Sequence, residues 1–220
     1  MFMTSILFIG NSYTYYNDLP SIFADIAKAE GMDVNTTAIT KGGWTLEKYC
    51  DANDEFGAKV ASELDYENKG KFDYVVIQEQ SLRPITEPEL FFAAVRDLAL
   101  RAKAIGAKPL LYSTWGRKTG SPQLLDLNLT NAQMTQKLAE SYGKIGAELD
   151  IPVAYVGRAF FEVYSNNPEI ELYDPDLTHP SENGSTLAAL TLFGKIFGVE
   201  PTTLKFPASD ILKKAAQNTL

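Results

Sequence analysis

The fold is decided by the stretch Ile6-Leu7-Phe8-Ile9-Gly10-Asn11-Ser12, in which four apolar residues run directly into a small polar turn. A short apolar run bounded by turn residues is typical of a strand that is buried on both faces, as in a parallel sheet. Ligands of open α/β sheets bind beyond the carboxyl ends of the strands, and Gly10 allows the backbone to turn sharply there. We therefore expect Ser12 to be exposed and reactive, although a serine that only satisfies turn hydrogen bonds is the better explanation of this stretch when it is taken alone.

Strand and helix patterns alternate along the rest of the chain. Four further strands are predicted, at residues 33–39, 74–77, 110–113 and 153–156, the first of them as a less buried edge strand. Helices are predicted after Asn17, twice within residues 45–70, from a capping box at Thr86 and Glu89, along the apolar stripe from Met134 to Leu149, and from Ser181 through Phe197. Because crossovers between parallel strands are right-handed, this order predicts a three-layer α/β/α sandwich with a mainly parallel five-stranded sheet.

Length and composition limit the class of protein. The 220 residues, 45% of them apolar, predict one domain over residues 1–220, with residues 199–220 as a C-terminal tail or an extra helix. A net charge of −8 disfavours nucleic acid as a partner, and no basic stripe is available for a membrane surface. Cys50 is the single cysteine, which excludes an intrachain disulfide.

The location of the protein is predicted from the start of the chain and from its apolar runs. No apolar run approaches the roughly 20 residues that span a bilayer. The N-terminus leads directly into the first strand, without a signal-like segment. We therefore expect a cytoplasmic protein, or a periplasmic or secreted one if a signal peptide was removed. The sequence makes no prediction of oligomeric state.

The only histidine of the chain, His179, lies in Asp174-Pro175-Asp176-Leu177-Thr178-His179-Pro180-Ser181, directly before the last long helix. A serine hydroxyl becomes an effective nucleophile when a base accepts its proton, and that base needs a third group to fix its tautomer. Asp176 can fold back so that its carboxylate meets Nδ1, which leaves Nε2 free for Ser12. Asp174 is the competing candidate, with farther to reach. Taken alone, His179 is also explained as a solvent-facing residue of a polar loop.

Other functions for these residues are weighed against catalysis. A metal site is disfavoured, because the two aspartates and His179 are the only dense cluster of candidate ligands, and metals normally recruit several. No cofactor is predicted. One alternative is a flavodoxin-like binding module, in which Asn11-Ser12-Tyr13-Thr14 cradles the phosphate of a flavin; it gives the histidine no task. The other alternative is a catalytically inactive scaffold that keeps the fold as an interaction surface.

Four blocks of the sequence resemble those of the SGNH (GDSL-type) hydrolases, and the resemblance covers nearly the whole chain. The blocks are Ile9-Gly10-Asn11-Ser12, with Asn where Asp is usual; Gly42-Gly43; Gln78-Glu79-Gln80-Ser81, in the place of Gly-x-Asn-Asp; and Asp176-Leu177-Thr178-His179-Pro180, which matches Asp-x-x-His. The first and last blocks are the specific ones. More closely, the chain resembles a bacterial branch of the superfamily whose first and third blocks read GNS and QEQS.

This resemblance implies a flavodoxin-like fold and a hydrolase in which Ser12 is the nucleophile, His179 the general base and Asp176 the group that orients it. It also implies an oxyanion hole, formed by the backbone N–H groups of Ser12 and Gly43 together with a side-chain amide. Such donors stabilise the transition state when they are aimed at the developing oxyanion.

The side-chain donor of the oxyanion hole departs from the family pattern, because the usual asparagine is absent. Counting from the strand end aligns Gln80 with it, and Gln78 is the fallback. A glutamine amide can donate the same hydrogen bond from a longer arm. Alternation along an extended chain turns both glutamines to the same side, so the count and not the spacing favours Gln80.

Aromatic and arginine side chains are predicted on the loops around the site. The candidate substrate-binding residues are Asn11, Tyr13, Trp44, Arg83, Trp115 and Arg117. Exposed aromatic faces pack on sugar C–H surfaces and arginine donates to hydroxyls or carboxylates, although aromatic residues at loop tips also pack within their loops. No large apolar lid insertion is present, which favours short acyl groups. We therefore predict an esterase that acts through an acyl-enzyme on a small-molecule or carbohydrate ester, above all on O-acetyl groups of carbohydrates.

Overall fold

A computed structural model describes residues 3–220 and contains a central five-stranded sheet. Its strands are β1 (Thr4–Gly10), β2 (Val34–Thr40), β3 (Tyr74–Ile77), β4 (Lys108–Tyr112) and β5 (Val153–Ala154). They lie in the order β2-β1-β3-β4-β5, and every neighbouring pair is parallel. The predicted α/β fold with a mainly parallel sheet is confirmed, and β2 is an edge strand as expected.

Helices follow the strands on both faces of the sheet. They are α1 (Ser12–Tyr15), α2 (Leu19–Ala29), α3 (Leu46–Cys50), α4 (Glu55–Glu63), α5 (Arg83–Thr86), α6 (Pro88–Ala104), α7 (Pro122–Asp126), α8 (Asn131–Leu149), α9 (Val156–Asn166), α10 (Glu182–Phe197) and α11 (Asp210–Gln217). Short 3₁₀ turns cover Tyr16–Asp18, Tyr66–Asn68 and Pro201–Thr203. Across residues 3–220, no helix has the length and apolar character needed to cross a membrane.

The alternation of β1 side chains explains the three layers. Ile6 and Phe8 point to one face of the sheet, where they pack with α2, α9, α10 and α11. Leu7 and Ile9 point to the other face, where α3, α4, α6 and α8 pack. All four side chains are fully buried. Burial of each one stabilises the fold by about 1.5–3 kcal/mol relative to leaving the side chain exposed. The continuous apolar run therefore predicts a strand covered on both sides, and the fold confirms it.

The predicted capping box at Thr86 and Glu89 is wrong. Thr86 closes α5, where its hydroxyl donates to the carbonyl of Leu82 at 3.2 Å, and α6 begins at a proline behind it. A capping box does occur at the start of α8, where the Thr130 hydroxyl accepts from the N–H of Gln133 at 3.2 Å and the Gln133 side chain accepts from the N–H of Thr130 at 2.9 Å. The proline at the first position of α6 presets the helical φ, so that helix starts without a side-chain cap.

The fifth strand is shorter than predicted, because Val156 already belongs to α9. The next residue, Gly157, lies so close to the preceding layer that a Cβ there would sit 2.1 Å from the carbonyl oxygen of Thr114. The chain therefore leaves the sheet at this contact, and the sequence analysis did not identify α9. In the C-terminal residues 199–220, α11 packs its apolar side against the α9–α10 layer, which gives the extra helix that was one of the two expectations.

Candidate active site

Ser12 lies at the carboxyl end of β1 as the first residue of α1, and it is only 8% exposed, so the expectation of an exposed serine is wrong. Asn11 precedes it, and its side-chain oxygen accepts from the N–H of Tyr13 at 3.2 Å, which caps the short helix. Gly10 is required here, because a Cβ would sit 2.4 Å from the hydroxyl of Thr14 and 2.5 Å from the side-chain oxygen of Gln78. The turn expected after the first strand is thus a single helical turn that holds the serine in place.

Ser12, His179 and Asp176 form one hydrogen-bonded chain. The Nε2 atom of His179 lies 2.8 Å from the hydroxyl oxygen of Ser12. On the other side of the ring, Nδ1 is hydrogen-bonded to Oδ2 of Asp176. The remaining oxygen of Asp176 accepts from the backbone N–H groups of Thr178 and His179, both at 2.9 Å. This geometry favours Asp176 over Asp174, whose backbone N–H donates to the carbonyl of His179 at 2.8 Å.

The loop before α10 holds the histidine by its backbone. Leu177 has a left-handed conformation with φ +64°, and its N–H donates to the carbonyl of Asp174 at 3.0 Å. Such a conformation costs a non-glycine residue on the order of 1–3 kcal/mol and persists only where the surroundings impose it. The indole N–H of Trp115 donates to the carbonyl of Thr178 at 3.1 Å and helps to hold the loop in this shape.

The electrostatics of the chain keep Asp176 ionised. Burial opposes its ionisation, but hydrogen bonds from the ring and the backbone N–H of His179 and from the N–H of Thr178 outweigh burial, so the pKa of Asp176 lies below its ordinary value. An ionised carboxylate on Nδ1 fixes the tautomer that leaves Nε2 free to accept a proton. The ring of Tyr16 stacks on the imidazole, with centroids 4.2 Å apart and planes at 9°, and restricts its rotation.

A small pocket of about 220 Å³ opens next to the serine, and the candidate oxyanion donors Ser12, Gly43 and Gln80 line it. Gly43 has φ +70°, a conformation that few side chains adopt. The side-chain oxygen of Gln80 accepts from the N–H groups of Leu82 at 2.8 Å and Arg83 at 3.1 Å. Because the oxygen is occupied in this way, the amide NH₂ is the half of Gln80 that is left to donate.

Gln78, the fallback donor, is buried at 1% exposure and serves the serine loop instead. Its oxygen accepts from the N–H of Asn11 at 2.9 Å and from the hydroxyl of Thr14 at 2.8 Å. Its NH₂ group donates to the side chain of Asn11 at 3.0 Å and to the carbonyl of Glu79. Both ends of this amide are thus engaged, which favours Gln80 as the side-chain donor of the proposed oxyanion hole.

Glu79 is a buried residue whose role the sequence analysis missed. One carboxylate oxygen accepts from the N–H of Gln80 at 2.6 Å and from the N–H of Leu46 at 3.0 Å, so it ties the segment after β3 to the loop that carries Gly43. The other oxygen has no hydrogen-bond partner within residues 3–220. Burial raises the pKa of Glu79 to about 7, although these hydrogen bonds and the charge of Arg83 act in the opposite direction. A glutamate between two glutamines after a buried strand is the signal that could have identified it.

The expectation that Trp115 binds substrate is wrong. Its side chain is fully buried and is stacked between Tyr13, at 4.3 Å, and Phe160, at 4.0 Å between ring centroids. The segment after β4 turns inward over α9, so the indole packs against the core and holds the histidine loop. Its position beside the site comes from packing, the alternative that applies to any aromatic residue on a loop.

Trp44 and Arg83 lie outside the residues that line the pocket. The ammonium groups of Lys41 and Lys48 lie 4.5 and 4.1 Å from the centroid of the Trp44 ring, so both lysines make cation–π contacts with it. Arg83 forms ion pairs with Glu47 and, at 3.2 Å, with Glu87. The other three candidates for substrate binding, Asn11, Tyr13 and Arg117, do line the pocket.

Comparison with known proteins gives the class of the enzyme. No family profile matches the sequence, and no curated protein is significantly similar to it. A solved structure from Slackia heliotrinireducens, provisionally described as an SGNH hydrolase, is 31% identical over 89% of this chain and 100% of that chain, with a TM-score of 0.77. The chain therefore belongs to the SGNH hydrolases, and the predicted membership of this superfamily is confirmed.

More distant structures share the fold. A DUF4886 family protein from Bacteroides uniformis is 17% identical over 99% of this chain and 94% of that chain, with a TM-score of 0.82. A catalytic variant of Axe2, an acetylxylan esterase from Geobacillus stearothermophilus, is 17% identical over 86% of this chain and 93% of that chain, with a TM-score of 0.62. The strand order β2-β1-β3-β4-β5 is the flavodoxin-like order, so the predicted flavodoxin-like fold is confirmed.

Proposed function

We propose that this enzyme hydrolyses short-chain acyl esters, above all O-acetyl groups on carbohydrates, through Ser12, His179 and Asp176. The observation that carries the proposal is the hydrogen-bond chain from the serine hydroxyl, 2.8 Å from Nε2, through the imidazole to an ionised carboxylate. A serine with such partners is an activated nucleophile. The same arrangement gives the only histidine of the chain a task.

The reaction follows from these positions. The Ser12 oxygen attacks the ester carbonyl carbon while Nε2 of His179 accepts the serine proton, and the carbonyl oxygen becomes an oxyanion. The N–H groups of Ser12 and Gly43 and the NH₂ group of Gln80 donate to that oxyanion. The imidazolium then gives its proton to the departing alcohol, which leaves an acyl-enzyme. A water molecule, deprotonated by the same imidazole, then attacks the acyl-enzyme and forms a second tetrahedral intermediate. Collapse of this intermediate releases the carboxylic acid, and the imidazolium returns the proton to Ser12.

The size of the pocket and an exposed aromatic ring near it support a substrate with a short acyl group and a polar alcohol. About 220 Å³ beside Ser12 suits an acetyl or similar group better than a long chain. Tyr15 offers an exposed ring near the site, being 42% exposed and next to Tyr16, which stacks on the histidine. Axe2 carries an acetylxylan esterase activity on the same fold. By this analogy of fold, acetylated oligosaccharides are the first substrates to test.

The decisive experiment is covalent labelling with a fluorophosphonate, followed by mass spectrometry of the adduct. We expect phosphonylation at Ser12, loss of labelling in Ser12→Ala, and normal labelling in the control variant Ser21→Ala, which alters a serine bonded only to a surface aspartate. Turnover of p-nitrophenyl acetate should disappear together with the label. Labelling at another residue, or a Ser12→Ala variant with full turnover, would refute the proposed nucleophile.

The alternative of a flavin-binding loop is not supported by the hydrogen bonds of that loop. The N–H of Asn11 and the hydroxyl of Thr14 both donate to Gln78, and the N–H of Tyr13 donates to the Asn11 side chain. These donors would have to be free to cradle a phosphate. Absorbance of the purified protein in the flavin bands remains the direct test.

A further inference from the structure

Arg117 is a buried cation that has no carboxylate partner. Its side chain is 7% exposed, and its two terminal nitrogens donate to the hydroxyls of Thr178 at 2.5 Å and Ser81 at 3.0 Å. Its Nε atom has no hydrogen-bond partner among the described residues. Within residues 3–220, no carboxylate oxygen lies within 4.0 Å of this guanidinium, whereas Arg83 pairs with two glutamates.

Arg117 is held in place by its backbone, and it lines the pocket that contains Ser12. Its backbone is held on the segment after β4, where its carbonyl accepts from the side chain of Asn131 at 2.8 Å. Its side chain lines the same pocket as Ser12 and His179. The carboxylate of Asp176, on the far side of the imidazole of His179, is already engaged by the histidine and two backbone N–H groups.

Two neutral hydroxyls are incomplete partners for such a charge. A buried charge is normally paired, because transfer out of water is unfavourable without a counter-ion. A guanidinium presents several N–H groups in a planar fork that matches a carboxylate, so a carboxylate is the natural complement of the unsatisfied charge.

A second unsatisfied group lies beside the guanidinium. The buried hydroxyl of Tyr13 makes no hydrogen bond to the described residues, although Arg117 and Ser81 lie close enough to influence its pKa. Burial raises that pKa in spite of both neighbours, so the hydroxyl is neutral and can donate. Tyr13 and Arg117 both line the pocket, and an anion that reached these donors would satisfy both.

We infer that Arg117, with Tyr13 and Ser81, forms a subsite for a carboxylate carried by the ester substrate. This inference rests on the proposed function and specifies its substrate class: acetylated acidic sugars if the carboxylate is on the alcohol, or monoesters of short dicarboxylic acids if it is on the acyl group. The shared chemistry is a carboxylate within a few bonds of the scissile ester. An ester without an anion would leave the guanidinium unpaired in the complex.

The test compares pairs of esters in which one member carries a carboxylate and the other a neutral group in its place. For the alcohol side the pair is 4-acetoxybenzoate and its methyl ester, and for the acyl side it is mono-p-nitrophenyl glutarate and p-nitrophenyl valerate. After correction for the rates of hydrolysis by hydroxide, we expect kcat/KM of the wild-type enzyme to favour the anionic member of one pair by about tenfold or more. The pair that shows the preference identifies the side that carries the carboxylate. Equal kcat/KM within both pairs would overturn the inference.

The variant Arg117→Gln distinguishes a subsite from a clip that only joins Ser81 to Thr178. In this variant we expect kcat/KM for the anionic ester to fall about tenfold further than kcat/KM for the neutral ester. The additional loss should arise from an increase in KM for the anionic ester. The matched control is Arg96→Gln, which removes a surface arginine paired with Glu148 and should leave the preference intact. Equal losses for both esters would show a clip and overturn the subsite.

A measurement on the wild-type enzyme covers the case in which Arg117→Gln does not fold. Benzoate should inhibit the hydrolysis of p-nitrophenyl acetate competitively at a concentration about tenfold lower than benzamide, and equal inhibition would overturn the inference. Failure of the proposed function would look different, because neutral esters would then not be turned over or turnover would survive Ser12→Ala. A working esterase without charge preference would refute the subsite alone.

Discussion

The two loops that build the site are stabilised in opposite ways. The segment after β3, residues 78–81, is buried, with Gln78 and Glu79 at 1% and 0% exposure and their side chains bonded into neighbouring backbone. The histidine loop, residues 174–180, is more open: the side chains of His179 and Asp176 are 23% and 47% exposed. Its shape depends on backbone turns and on the left-handed residue Leu177.

This difference predicts how substitutions divide between stability and catalysis. Changes in the histidine loop should reduce the rate and leave the free energy of unfolding nearly unchanged, because exposed side chains contribute little to the core. Changes at buried positions of residues 78–81 should reduce both, because each leaves backbone donors without partners. The predictions below test this division, from the largest expected effect to the smallest.

The largest effect is expected where the two loops meet the serine. Ser12→Ala or His179→Ala should each lower kcat for p-nitrophenyl acetate by at least about 10³-fold, and the double variant should lose no more than either single one, because the residues act as a unit. Urea unfolding should show a change of less than about 1 kcal/mol for His179→Ala. A double variant whose loss equals the product of the single losses would contradict a shared role.

The two glutamines give the sharpest contrast within one segment. Gln80→Ala should lower kcat by about 10²- to 10³-fold with little change in KM, and Gln80→Asn should fall between it and the wild type. Gln78→Ala should instead destabilise the fold by about 2–4 kcal/mol, because the N–H of Asn11 and the hydroxyl of Thr14 lose their acceptor. Kinetics and urea unfolding of both variants measure this. A stable but inactive Gln78→Ala beside a nearly normal Gln80→Ala would show that Gln78 is the donor.

Glu79 should make stability depend on pH. Its pKa is raised by burial to about 7 in the folded protein, above the ordinary value of 4.5. Between these two pH values the folded state binds a proton on Glu79 that the unfolded state has released. The contribution of Glu79 to the free energy of unfolding is therefore fully present below about pH 4.5 and is lost, by up to about 3 kcal/mol, as pH rises through about 7. Glu79→Gln keeps an acceptor for Gln80 and Leu46 and cannot ionise.

The measurement is urea unfolding of wild type and Glu79→Gln between pH 4.5 and 8. We expect the stability of the wild type relative to the variant to decrease across this range. The difference removes the contribution of the other titrating groups, which both proteins share. A constant difference would show that Glu79 has the same pKa in the folded and unfolded protein.

The sequence predicted those parts of the molecule whose signals are local. The runs that end at Ile9 and Ile77 are continuous and apolar, so they predict buried strands directly, and the spacing from Asp176 to His179 lies within one loop. The orientations of the Trp115 and Arg117 side chains could not be predicted from the sequence. Whether a loop side chain faces solvent, core or pocket depends on the elements that pack on it. The role of Glu79 depends on Leu46, which is distant in sequence and meets it only in the fold.

Activity should fall as the solution becomes more acidic, because only the neutral ring of His179 accepts the serine proton. The pKa of Asp176 is lowered, so its carboxylate stays ionised near neutral pH and adds no second ionisation to the pH dependence of kcat/KM. Glu79, with its pKa raised to about 7, is the buried group that could add one. The pH profile should therefore be measured in the wild type and in Glu79→Gln. We expect the acid limb to persist in the variant with unit slope, and a variant that loses it would make Glu79, and not the histidine, the group that controls activity.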